Sequence, residues 1–155
     1  MNQAQFEEIC RDASLCLHLP DTTALARGDA VAVDGILMEM AESRRGDAVD
    51  GYLFVEVGVP AEDRRAEVYQ SLLGLQLLLV GAVEGMFVYD AVNDRILFAA
   101  RMPFWKDIDG QQLAAVLTAL AAQATTWRRS LLAGKLDEAM DPRRAVEHLG
   151  LGRLV

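Results

Sequence analysis

Residues 72 to 83, "LLGLQLLLVGAV", carry no charge in a 155-residue chain whose formal net charge is −8. At 100° per residue, Leu72, Leu73, Leu75, Leu77, Leu78, Leu79 and Val80 point in nearly every direction around a helix axis. The run is interrupted by Gln76 and falls short of the ~20 residues a membrane span requires, so membrane insertion is not expected. A helix apolar all round is normally buried all round, and one sheet face cannot cover it. The sequence therefore predicts a homodimer, with Leu72, Leu75, Leu79 and Val83 at the interface and the opposite side of the helix on its own sheet. The competing arrangement has the last helix and the C-terminal tail cover the same side.

The length fits one domain that buries roughly two thirds of its unfolded surface. Residues 1–134 form that domain and 135–155 a tail. With 52% hydrophobic and 25% charged residues the chain is expected to fold. Its 23 acidic against 15 basic residues leave no excess positive charge for a phosphate backbone, so nucleic acid is not an expected partner. "MNQAQFEEICRDAS" lacks the basic start and apolar stretch of a secretory signal, and a cytoplasmic location follows as the expectation.

Phe6, Ile9, Cys10, Ala13, Cys16 and Leu17 recur at helical spacing between residues 2 and 19, before Pro20. In "DAVAVDGILMEMAES" the pair Asp34 and Gly35 suits a two-residue hairpin turn between strands at 29–33 and 36–42. "SRRGDAVD" reads as a loop before a strand at 52–57, and Pro60 with Glu62 and Asp63 opens a helix running to about residue 81. "MFVYD" and "RILFAAR" flank the turn "AVND" as strands at 86–90 and 95–101. Asp109 and Gln112 match a capping box, after which Leu113, Val116, Leu117, Leu120, Ala124, Trp127 and Leu131 line one helical face. Asp141 and Pro142 suggest a short helix in the tail through His148. The order α-β-β-β-α-β-β-α with hairpin-length connections predicts an α+β fold, a five-stranded, mostly antiparallel twisted sheet with helices packed on it.

Catalytic chemistry finds no foothold in this pattern. A nucleophile needs a base and an orienting acid, and neither His18 nor His148 sits in such a motif. Cys16 and His18 lie two residues apart on one helix and point away from each other, while Cys10 and Cys16 are separated by roughly 120° around its axis. Glu7, Glu8 and Asp12, and Glu62 with Asp63, suit solvated helical faces better than a metal site. Gly74, Gly81 and Gly85 lack the lysine and hydroxyl of a phosphate loop. No enzyme, cofactor or metal is expected.

The sheet is apolar on both faces: Ile36, Met38 and Met40 alternate with Leu37, and Tyr52 and Phe54 with Leu53, Val55 and Val57. One face packs on helices and the other needs cover or a partner. The expected partner-binding residues are Val31, Val33, Ile36, Met38 and Met40 of the first hairpin with Leu17 of the first helix, the methionines supplying adaptable apolar surface.

The segments "VDG", "VEVGVP", "LLGLQLLL", "GMFVYDAVNDRILFAARMPFWKDIDGQQLAAVL" and "TTWRRSLL" together resemble the class I chaperones of bacterial type III secretion, the Tir chaperone family. The resemblance covers residues 3 to 133: a leucine-rich helix with a polar residue inside it, a glycine into a hairpin, a polar stretch with an aspartate, and a last helix bearing Trp127. Gln76 stands where many members carry asparagine, and the tail exceeds the minimal fold. The resemblance implies a cytoplasmic bacterial homodimer without enzymatic activity. Such a protein binds the N-terminal segment of a secreted effector, keeps it soluble and presents it to the secretion apparatus. A regulatory or sensory dimer of the same fold, binding a small ligand or a signalling protein, is the second reading.

Overall fold

The computed structural model describes residues 3–45, 48–79, 84–102 and 108–133. The chain forms α1 (Gln3–Cys16), α2 (Ala24–Arg27), β1 (Val31–Val33), β2 (Ile36–Arg45), β3 (Ala48–Gly58), a 3-10 turn (Glu62–Arg64), α3 (Arg65–Leu79), β4 (Gly85–Asp90), β5 (Arg95–Met102) and α4 (Gly110–Ser130). The five strands make one sheet in the order β1-β2-β3-β5-β4, every neighbouring pair antiparallel. This is the α+β architecture expected from the sequence.

Local chemistry sets the joints. Asp34 and Gly35 adopt φ of 49° and 77°, the paired positive angles of the predicted hairpin turn. Asp109 accepts from the Gln112 amide at 2.7 Å while the Gln112 side chain accepts from the Asp109 amide at 2.9 Å, so the capping box is complete.

Four expectations change. Helix α1 ends at Cys16, short of Leu19, because His18 turns left-handed at φ 54° and the Leu19 and His18 amides donate back to Ser14 and Leu15. His18 is thus a helix terminator, and Cys16 beside it is exposed. The short helix α2, held between Thr23 and the left-handed Gly28, was not anticipated. The stretch read as a loop at 43–50 largely continues the hairpin, with Ser43 paired to Asp50 and Arg45 to Ala48, because ladder bonds need no apolar side chain. Helix α3 begins at Arg65, after the 3-10 turn. The predicted tail helix lies outside the described residues.

The core sits between the sheet and α1 with α4. Phe6, Cys10 and Ala13 of α1 and Leu113, Leu117, Leu120, Ala124 and Trp127 of α4 bury against Met38, Leu53, Val55 and Phe98. Trp127 meets Phe98 at 4.7 Å and Phe87 at 5.0 Å between ring centroids. The face predicted for the last helix is the buried one, with Val116 at its margin.

Candidate functional site

Side chains alternate across each strand, so the face that meets α1 and α4 takes one parity and leaves the other uncovered by helices among the described residues. Val31, Val33, Ile36, Met38 and Met40 all belong to the covered parity and are 0 to 7% exposed. They are core residues, and the expectation that they line a partner groove is corrected: period-two alternation separates two faces but does not say which one the helices take. Leu17 is half-buried against the same core.

The uncovered face is built in rows. Glu39, Phe54, Ala99 and Met86 pair in turn across β2, β3, β5 and β4. Ala41, Tyr52 and Arg101 form the next row, and Glu56, Leu97 and Val88 the row on the other side. Its centre is apolar, with Phe54 and Tyr52 half-buried and Met86 54% exposed. Leu37 stands exposed near its β1 end.

One end of this face is fixed by charge. Arg95 reaches Asp90 at 2.9 Å, Glu39 at 2.9 Å and Glu56 at 3.2 Å, and Arg128 of α4 adds a contact to Glu56 at 3.3 Å. Asp90 is lowered to about 2 by the hydrogen bond from the Asn93 side chain and then by Arg95. The Arg95 guanidinium is raised in turn, chiefly by Asp90 and Glu39. The network joins β2, β3, β4 and β5, and Arg128 ties it to α4.

Helix α3 lies along the outer edge of β4. Val68, Leu72 and Leu75 turn into the core, whereas Leu73 and Leu77 are 73% and 76% exposed. The expected interface is corrected accordingly: Leu72 and Leu75 face the chain's own sheet, and the free flank is that of Leu73 and Leu77. Val83 and the side chain of Leu79 lie outside the described residues. Arg65 holds the start of α3 to the β4–β5 turn through Asp94 at 2.6 Å, and the Tyr89 hydroxyl donates to the same carboxylate at 2.8 Å. Tyr89 holds Asp94 below the usual carboxylate range, with Arg65 contributing. Tyr69 packs edge-on against Tyr89 at 5.7 Å. A cleft of about 230 Å³ between Tyr69, Leu72, Leu73, Phe87 and Tyr89 connects the flank of α3 to β4.

In the sequence Leu73, Leu77, Tyr52 and Phe54 stand among other apolar positions that look alike. The signal that selects Leu73 and Leu77 is their place on the arc opposite Val68 and Leu75 at 100° per residue. No helix among the described residues is long and apolar enough to cross a membrane, and no group of His, Cys, Asp and Glu among them has metal-holding geometry. No protein-family model, curated protein or solved structure matches the chain.

Proposed function

We propose that this chain is a homodimeric chaperone of the type III secretion class that binds the N-terminal segment of a secreted effector and keeps it soluble for export. The observation that carries the reading is the pair of uncovered apolar surfaces, the α3 flank with Leu73 and Leu77 and the sheet face around Phe54 and Met86, on an acidic α+β chain. The first surface suits a second copy, because one apolar helical flank meets its symmetry mate without new chemistry. The second suits a client that arrives unfolded: an extended segment presents alternating side chains, which match the row spacing of a sheet face, and ordering it offsets part of the contact energy. The order of elements over residues 3 to 133 supports the class.

Affinity capture from the bacterium that encodes the chain, followed by mass spectrometry, tests the reading. The expected result is one dominant exported protein, retained after protease trimming through a segment near its N-terminus. Recovery of signalling proteins alone, or of none, would overturn it. The apolar cleft between α3 and β4 favours the second reading, a regulatory module that takes a small apolar ligand. A ligand that raises the melting temperature and chases the captured protein off would support that alternative.

A further inference from the structure

Strand β4 is the last strand of the sheet, and its sequence "GMFVYD" carries neither charge nor proline before Asp90. Such an edge is a template for pairing with another chain, and proteins normally blunt it with lysine, proline or a bulge. None of these devices is present within Gly85–Tyr89. What stands there is a side chain of α3: Gln76 Oε1 accepts from the Phe87 amide at 2.8 Å, and Gln76 Nε2 faces the Gly85 carbonyl at 3.5 Å. In an antiparallel strand alternate residues turn both backbone groups outward, and the Phe87 bond identifies Gly85 and Phe87 as members of that outward set. A primary amide carries the same donor and acceptor as a peptide group, so Gln76 answers this part of the edge as a neighbouring strand would. It is also the one polar side chain between Leu72 and Leu79. Gly85 leaves room for the Phe98 ring of β5, which a Cβ there would overlap.

We propose that Gln76 closes the outer edge of β4 to strand addition, so that a second copy of this chain meets the molecule through α3 side chains and not through a shared sheet. The choice of a second copy rests on the homodimer reading above, whereas the closed edge rests on the hydrogen bonds of Gln76. Removing the amide leaves a part-buried donor and acceptor at the edge without their partner, and another strand would supply both.

The test uses the full chain and its Gln76→Leu, Gln76→Glu and Leu75→Ala variants. In the wild type the Phe87 amide is expected to be protected from hydrogen exchange, and in Gln76→Leu to exchange roughly fivefold to tenfold faster, the value of one hydrogen bond. Gln76→Leu is expected to sediment as large, concentration-dependent assemblies with an intermolecular β-sheet infrared band. Gln76→Glu keeps an acceptor for Phe87 and adds a charge at the edge, and is expected to stay discrete. Leu75→Ala loosens α3 while leaving Gln76 in place, and separates edge opening from loss of stability. A wild-type Phe87 amide that exchanges as an exposed one, Gln76→Leu sedimenting like the wild type, or equal assembly by Leu75→Ala would overturn the proposal. A wild type that sediments as a monomer would instead remove the homodimer reading and leave the comparison of Gln76→Leu with Gln76→Glu to decide the closed edge.

Discussion

Phe98 and Phe54 occupy neighbouring strands, with Phe98 paired to Val55 and Phe54 to Ala99, so one register step separates their environments. Phe98 is fully buried and wedged against Trp127 and Phe87, while Phe54 lies half-buried on the face that no helix among the described residues covers. Both faces offer aromatic and aliphatic side chains at the same spacing. They differ in what lies opposite: α1 and α4 present a complementary apolar surface to one, and the other is bounded at one end by the Arg95 network and along β4 by α3. Hydrophobicity along a strand therefore does not distinguish the covered face from the uncovered one, and the covering element does.

The largest expected effect breaks the self-association half of this comparison. Leu77→Glu places a charge on an already exposed position, so the folded chain should keep its circular dichroism and melting temperature. In a dimer seam the same carboxylate loses its water, which should weaken self-association by on the order of 100-fold or more. Sedimentation equilibrium reads the change, and an unaltered dimer would move the seam away from α3.

Phe54→Ser sharpens the comparison on the sheet face. It should weaken retention of the captured client by roughly tenfold, the value of a partly buried aromatic contact, without unfolding the chain. Isothermal titration against the trimmed client segment measures this, and equal affinity would free β3 of a binding role.

The smallest effect concerns the charged end of the same face. Asp90 has a folded value of about 2 against 3.8 for the unconstrained group, so its contribution is present above the unfolded value and is lost as pH falls from about 3.8 toward 2. Asp90→Asn should flatten the fall of melting temperature across that window by a degree or so. An identical slope in wild type and variant would show that the network does not brace the sheet.

Much of the fold was legible because short-range chemistry writes it. Asp34–Gly35, the Asp109 and Gln112 box, and the seven apolar positions of α4 each act within a few residues. The end of α1 was misread because His18 adopts a left-handed angle that glycine or asparagine more often signals. The site was less legible for a different reason. Choosing between Met38 and Leu37 requires knowing on which face of the sheet α1 and α4 lie, and that is a long-range fact that periodicity does not carry. The part played by Gln76 escaped for the same reason, since it acts on a strand eleven residues away.

The measurement that tests the difference between the faces most directly is the unfolding free energy of Phe98→Ala beside Phe54→Ala in urea. Loss of the Phe98 ring from the packed core should cost about 3–5 kcal/mol, while loss of the Phe54 ring from the uncovered face should cost less than about 1 kcal/mol. Equal losses would show that the second face is as much a part of the folded chain's own core as the first, and would remove it as a docking surface.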